Sequence, residues 1–216
     1  MVTSSNEPPD ADPLPRVSIP VLNTRRLVLR PFEAGDAPAV QRLAGAPEVA
    51  LTTQNIPHPY PDGVAEAWIA SHGPAWEEGR FLTLAITSAP EGLVGAVSLH
   101  LTPAHRRGEL GYWVGVPFWN RGYATEASAA LVDFGFRRLA LNRVQARHLT
   151  CNPASGRVME KLGMKLEGIQ RQYLLVRGAF EDLAMYAILR SDLGGDPPGP
   201  DGAPRPGLDA DGEWRS

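Results

Sequence analysis

Trp119-Asn120-Arg121-Gly122-Tyr123-Ala124-Thr125-Glu126-Ala127 is the stretch from which the fold of this chain is read. Before it, an apolar run from Leu110 to Val116 is stopped by Pro117. After it, apolar residues fall at helical spacing: Ala124, Ala127, Leu131, Phe134. A strand, a tight turn with one glycine and a helix start bring several backbone N–H groups to one point. The helix dipole adds partial positive charge there, so the point favours an anion such as a phosphate. Gly122 allows close backbone approach, Thr125 offers a hydroxyl in the first helical turn, and Arg121 can pair with phosphate. An ordinary structural turn beside a solvated arginine fits the same residues. The stretch lacks the Lys-Ser/Thr of a P-loop and the further glycines of a dinucleotide fingerprint, which argues against both nucleotide motifs.

Composition narrows the classes. The 216 residues are 43% hydrophobic and 21% charged, enough for one domain that buries a core without disulfides or metal. Cys151 is the only cysteine, and the histidines (His58, His72, His100, His105, His148) show no metal-binding spacing, so no metal is expected. No apolar run approaches the ~20 residues of a membrane span, and Met1 to Arg16 lacks the order of a signal peptide. A cytoplasmic protein without a membrane partner is the expectation. The net charge is −3, but both ends are acidic, which leaves about +2 on residues 20–193. That suits an anionic ligand and is too weak and unclustered for nucleic acid. Lys161 and Lys165 are the only lysines; with abundant Ala, Gly and Pro this hints at a GC-rich bacterial genome.

Residues 1–19 and 194–216 are rich in Pro, Gly and Asp and read as disordered tails around a domain spanning 20–193. Within it, Arg25 to Pro31 alternates Leu27 and Leu29 against Arg26, Val28 and Arg30, as a strand does. Asp36 to Leu43 reads as a short helix and Gln54 to Pro61 as a Pro-rich loop. Asp62 is expected to cap a second helix carrying Val64, Ala67, Trp68 and Trp76. Phe81 to Thr87, Leu93 to Leu101 and Arg107 to Val116 read as strands, with a hairpin turn at Pro90-Glu91-Gly92. A long helix from Ala124 to Leu139, a strand Arg143 to Leu149 and a helix Ser155 to Leu162 follow, the last ended by Gly163. Two strands, Leu166 to Val176 and Phe180 to Leu189, finish a mixed α/β domain around one sheet.

Two further sites have double readings. Asn152-Pro153-Ala154-Ser155 suits capping, with Ser155 as N-cap and Asn152 as turn residue. A parallel βαβ unit would also set Asn152 and Ser155 beside Val114 to Gly122, at one end of the sheet. Glu109 opens its strand; alternation places it with Gly111, Trp113 and Gly115, opposite Leu110, Tyr112, Val114 and Val116. It is either a solvated surface carboxylate or a base near the turn. Glu126 has a dipole-favoured place in the first turn of its helix.

Taken together, four stretches resemble the Gcn5-related N-acetyltransferase (GNAT) superfamily and, within it, the RimJ/RimL-type acetyltransferases. They are Thr24-Arg25-Arg26-Leu27-Val28-Leu29-Arg30-Pro31; Glu109 to Val114 leading into Phe118 to Ala127; Asn152 to Met164; and Glu167-Gly168 with Asp182 to Tyr186. The resemblance covers roughly Leu22 to Leu193. It implies the GNAT fold, an α+β arrangement with a mixed, mostly antiparallel central sheet flanked by helices and a βαβ acetyl-CoA-binding core.

The resemblance also implies acetyl-CoA as co-substrate and a primary amine as acceptor, with a protein N-terminal α-amine of the ribosomal-protein type leading. A small amine, an antibiotic amine, or a regulatory domain that binds acyl-CoA without turnover are the alternatives. Asn120, Arg121, Gly122, Tyr123, Ala124 and Thr125 would cradle the pyrophosphate, with Trp119 where the superfamily pattern has Gln or Arg. Val114, Gly115 and Val116 would pair with the pantetheine amides, ending at Pro117, which has no N–H. Asn152 would hydrogen-bond the pantetheine arm and Arg157 would lie near the 3′-phosphate. Glu109 would be the base, a backbone N–H from around Val114 an oxyanion donor and Ser155 the partner of the leaving thiolate. In Ile56-Pro57-His58-Pro59-Tyr60-Pro61, His58 and Tyr60, together with Trp68, would wall the acceptor pocket; a rigid surface loop is the other reading. Dimers are common in this family, and a homodimer is the oligomer it suggests.

Overall fold

The computed structural model describes residues 17–193, and its elements follow where apolar residues alternate or recur. They are β1 (Leu22–Asn23), β2 (Val28–Arg30), α1 (Ala37–Ala44), α2 (Pro47–Leu51), α3 (Val64–Ala70), α4 (His72–Glu77), β3 (Phe81–Ser88), β4 (Gly92–Thr102) and β5 (Arg107–Val114). Then come α5 (Tyr123–Arg137), β6 (Arg143–Leu149), α6 (Pro153–Lys161), β7 (Lys165–Val176) and β8 (Ala179–Leu189). The strands form one sheet in the order β1-β2-β3-β4-β5-β6-β8-β7. Only β5 and β6 run parallel, and α5 is the crossover that such a pair needs.

Alternation along the strands makes two cores. Leu82, Leu84 and Ile86 of β3, with Leu110 and Val114 of β5, join Leu131 and Phe136 of α5 in the larger one. Ala85 and Trp113, one residue out of step, face the opposite way, into a smaller cluster with Val40 of α1 and Ala65 of α3. Leu27 and Leu29 are fully buried while Val28 is exposed, as the alternation predicts. Close approach of α5 to the sheet depends on Gly135: a Cβ there would lie 3.1 Å from both Leu99 and Leu141. The larger core extends further toward the amino terminus than the composition suggests. Val17 and Ile19 pack against it, and Trp76 Nε1 donates to the Val17 carbonyl at 3.1 Å. Of the tails expected over 1–19 and 194–216, residues 17–19 are packed against the core, and 1–16 and 194–216 lie outside the described residues.

Three local readings need correction. The single helix expected after Asp62 is two, α3 and α4, divided at Ser71, whose hydroxyl donates to the Trp68 carbonyl at 2.7 Å. Asp62 does not cap it; Gly63 holds that position with a left-handed φ of 80°, and Asp62 accepts instead from Gln41 Nε2 at 2.7 Å. Asn152, not Ser155, is the N-cap of α6, with Pro153 opening the helix. Gly163 does end α6 as expected, at φ 78°. Its N–H bonds to the Glu160 carbonyl and that of Met164 to the Met159 carbonyl, closing the helix end.

Candidate active site

The site begins where two strands part. Pairing between β5 and β6 runs from Arg107↔Arg143 to Leu110↔Ala146 and stops there. Both strands continue, to Val114 and to Leu149, so a cleft opens between their carboxyl ends. Backbone bonding alternates sides in an antiparallel pair. The Gly115 N–H bonds to the Val94 carbonyl of β4, so the Val114 N–H points the other way, toward the cleft. Of the three residues expected to pair with an incoming chain, only Val114 lies in the strand. Gly115 and Val116 begin a 3-10 turn: the Gly115 carbonyl accepts from Phe118 N–H and that of Val116 from Trp119 N–H. The strand is shorter than predicted because Pro117 has no N–H to continue it and Trp119 folds back. The Trp119 indole N–H donates to the Val114 carbonyl at 2.6 Å.

α5 opens the far side of this turn. Gly122 stands at its N-cap with φ 79°, and no side chain caps the helix. A Cβ on Gly122 would meet a guanidinium nitrogen of Arg26 at 3.4 Å. The N–H groups of Tyr123, Ala124 and Thr125 belong to the first turn and have no carbonyl within the helix to bond. Asn120, at φ 60°, tightens the turn in a conformation that asparagine tolerates better than most residues. The first turn of α5 thus leaves these backbone N–H groups open.

Two clamps hold this turn. Glu126 Oε1 accepts from the Thr24 hydroxyl at 2.7 Å and from the Arg26 N–H at 2.9 Å, while Oε2 accepts from Arg26 Nε at 2.7 Å. Burial pushes the Glu126 carboxyl up, yet the bonds from Thr24 and Arg26 outweigh it and hold it below the usual carboxylate range. So Thr24, Arg26 and Glu126, read separately in the sequence, are one unit. The second clamp is Glu91 of the β3–β4 hairpin turn. Glu91 Oε1 accepts from Arg121 at 2.9 Å, and Oε2 accepts from the Ser88 hydroxyl and from the Tyr123 hydroxyl at 3.5 Å. Arg121 is thus already ion-paired, though half exposed.

α6 starts across the cleft. Asn152 Oδ1 accepts from the Ser155 N–H at 3.3 Å, and its Nδ2 donates to the Thr52 carbonyl at 3.4 Å. Ser155 Oγ lies 2.7 Å from the Tyr112 hydroxyl, which also reaches the Ser155 carbonyl at 3.1 Å. Tyr112 comes from β5, so this contact spans the cleft. Burial pushes its phenol up to about 12, against the opposing pull of the Ser155 hydrogen bond. The alternation put Tyr112 on the same face as Val114, but no spacing signal names a partner 43 residues away. Arg157 is exposed on α6.

Glu109 lies one residue short of the point where the strands part, on the face opposite Tyr112 and Ser155. It stands between His100 of β4 and Gln145 of β6. Gln145 Nε2 donates to Glu109 Oε2 at 3.0 Å, and Arg147 Nε lies 2.8 Å from Oε1. The carboxylate is about 29% exposed, so it is neither freely solvated nor sealed. His100, beside it, is pushed down by burial, with Glu109 pulling up and Arg147 down.

The residues expected to wall an acceptor pocket lie on this same side of the sheet, though not as one pocket. His58 Nδ1 donates to the Gly45 carbonyl at 3.1 Å. Tyr60 packs on Gly45, where a Cβ would come within 2.9 Å of the tyrosine. Trp68 stacks edgewise on Phe32 and His72, with ring centroids 5.0 and 4.4 Å away. Tyr60 and Trp68 share the smaller apolar cluster with Trp113 of β5. The loop is fastened to the β7–β8 hairpin by Arg177, which donates to the Ala50 and Ile56 carbonyls.

Among the described residues, no group of His, Cys, Asp and Glu side chains is arranged to hold a metal ion, and no helix is long and apolar enough to cross a membrane.

The family model of the acetyltransferase (GNAT) domain matches residues 26–165, from the Glu126 clamp through α6. The chain belongs to the GNAT acetyltransferase family. It is an acetyl-CoA-dependent acetyltransferase, and its mostly antiparallel eight-stranded sheet flanked by helices is the GNAT fold. The uncharacterized N-acetyltransferase YoaA of Bacillus subtilis (strain 168) is 31% identical over 177 residues, 79% of this chain and 97% of that protein. The [ribosomal protein uS5]-alanine N-acetyltransferase of Escherichia coli (strain K12) is 30% identical over 83 residues, 38% of this chain and 43% of that one. The structure of Mycobacterium smegmatis RimJ in complex with CoA-disulfide superposes with a TM-score of 0.68 at 25% identity, covering 79% of this chain and 85% of RimJ.

Proposed function

We propose that this GNAT enzyme transfers the acetyl group of acetyl-CoA to the α-amine of a protein N-terminus. The observation that carries the reading is the pair of opposed features at the β5–β6 cleft: an uncapped helix start on one side, a partly exposed carboxylate on the other. Likeness to an N-acetyltransferase of a ribosomal protein and to RimJ supports this acceptor class.

The pyrophosphate binds the N–H groups of Tyr123 to Thr125, with Asn120 and Gly122 shaping the turn and Arg121 at its rim. The Val114 N–H, aimed into the cleft, donates to the thioester oxygen as negative charge develops there. Glu109 takes the proton that the attacking amine sheds, directly or through one water. Arg147 and Gln145 hold that carboxylate in place. Such a tethered base suits an acceptor that needs little help. An α-amine has a pKa near 7.7–8.0 and is about one third neutral at pH 7.5, whereas a lysine near 10.4 is only ~0.1% neutral. The difference is about 3.4 kcal/mol of deprotonation that an α-amine does not require. Ser155 stabilises the departing thiolate with a hydrogen bond. His58, Tyr60 and Trp68 line the approach of the acceptor chain.

The deciding experiment measures CoA release with N-terminal peptides, lysine side chains and aminoglycosides in parallel. Peptides with free α-amines are expected to turn over at least ~10-fold faster than the same peptides N-blocked and offering only lysine. Preference for lysine or for the antibiotic amines would reassign the acceptor. Acetyl-CoA binding with no turnover on any of them would make the chain a binding domain.

A further inference from the structure

Ser155 carries one hydroxyl hydrogen, and what Tyr112 does with its own decides where that hydrogen goes. Two acceptors of Ser155 lie within reach of the phenol: Oγ at 2.7 Å and the backbone carbonyl at 3.1 Å. If Tyr112 donates to the carbonyl, the short contact is made by the serine hydrogen pointing back at the phenol oxygen. The pair is then closed on itself, and Ser155 has no hydrogen to offer the cleft. If Tyr112 donates to Oγ, the serine hydrogen is released and can point elsewhere. Both arrangements use the same heavy-atom positions and differ by rotation of two hydroxyls. A negative charge in the cleft favours the second, because a hydrogen bond to an ion is roughly twice as strong as one between neutral groups.

We propose that Tyr112 is a positioning residue of the leaving-group step: by donating to Ser155 Oγ it frees the serine's only hydrogen for the departing sulfur. This rests on the reading of Ser155 as the partner of the thiolate. In the step itself the amine nitrogen bonds to the thioester carbon, and the C–S bond breaks with its electron pair on sulfur. The amine's proton leaves by way of Glu109. The sulfur, now an anion, accepts the Ser155 hydrogen bond, and Ser155 in turn accepts from Tyr112. Tyr112 keeps its proton throughout. Its phenol is pushed up to about 12 by burial, well above an ordinary thiol near 8.5, so net transfer to the thiolate would run uphill. The tyrosine therefore orients and polarises; it is not the acid. No tyrosine falls within Asn152 to Met164, and the phenol reaches α6 from β5 instead.

The test is a double-mutant cycle of Tyr112→Phe and Ser155→Ala, read as kcat, KM for acetyl-CoA, calorimetric affinity for acetyl-CoA and melting temperature. Tyr112→Phe keeps the ring and removes only the hydroxyl. It is expected to lower kcat roughly tenfold, the size of one charge-linked hydrogen bond, with KM, affinity and melting temperature near those of the parent. In the Ser155→Ala background it should cost nothing further, and Ser155→Thr, which keeps a hydroxyl, should restore the dependence on Tyr112. Full kcat in Tyr112→Phe beside a loss in Ser155→Ala would overturn the inference and leave the role of Ser155 standing. Losses that multiply would also overturn it, because the two residues would then act apart. Early melting or lost affinity in step with the lost activity would reduce Tyr112 to packing. Wild-type kcat in Ser155→Ala would sink both this inference and the role of Ser155.

Discussion

α5 and α6 both start at the carboxyl end of a strand of the parallel pair, and they start differently. α5 begins at Gly122 with no side chain on its first N–H groups. α6 begins at Asn152, whose Oδ1 takes the Ser155 N–H and whose Nδ2 holds the Thr52 carbonyl. One helix start is left open; the other is closed by the protein's own side chain, which also fixes Ser155. The free one is held from behind, by Glu126 on Thr24 and Arg26 and by Glu91 on Arg121 and Tyr123. The contrast teaches that a helix dipole does not by itself mark a binding site. What sets α5 apart is an open first turn whose support lies in neighbouring side chains.

The largest effect expected is from Gly122→Arg. The new side chain would start beside the open first turn, its Cβ in contact with Arg26, in a left-handed conformation that costs a non-glycine residue ~1–2 kcal/mol. Acetyl-CoA affinity by calorimetry is expected to fall about 30-fold or more, about 2 kcal/mol. Gly122→Asn is the control, since asparagine tolerates φ near 79° with a short side chain, and it should lose far less. Equal affinity in Gly122→Arg and the parent would show that the free start of α5 holds nothing.

Next in size is the clamp behind it. Glu126→Ala removes a carboxylate that accepts three bonds, from the Thr24 hydroxyl and from the Arg26 backbone and side chain, so a loss of about 1–3 kcal/mol in stability is expected at neutral pH. The sign with pH follows from its lowered pKa. The contribution is present above the ordinary carboxylate range and is lost as pH falls through the folded value. Denaturant melts of parent and variant should therefore converge on acidification. A constant gap at all pH values would mean that the clamp acts by packing, not charge.

How much of this was legible depended on the range of the interactions. β6 was read with the bounds it has, and the two faces of β5 followed from alternation alone, because a period of two is a local property. The turn at Gly122 was legible for the same reason. Asp62 misled because an acid before a helical pattern caps only if the chain turns at that residue, and here it turns one residue later, at Gly63. α2 went unread, since five residues opened by Pro47 leave too short a period to see. The contacts that complete the site join distant parts of the chain: Glu126 to Thr24, Arg121 to Glu91, Ser155 to Tyr112. Each residue was in view, but its partner is set by the packing of the sheet. The restraint of Glu109 by Arg147 is of the same kind, visible only once β5 and β6 lie in register.

The smallest effect expected is at the closed helix start, and it separates two uses of one side chain. Asn152→Ala removes the cap of α6, worth ~1 kcal/mol, together with the link to Thr52. If Asn152 serves the fold and the placing of Ser155, the variant should melt a few degrees lower and lose a few-fold in kcat. Its acetyl-CoA affinity should then stay within about twofold of the parent. If its amide instead holds the pantetheine arm, affinity should fall by more than the stability does. Asn152→Asp sharpens the choice: the aspartate keeps the cap through its oxygen but cannot donate. Stability restored with affinity still low would assign the amide to the ligand, whereas recovery of both would assign the whole side chain to α6 and leave α5 as the anion-binding helix start.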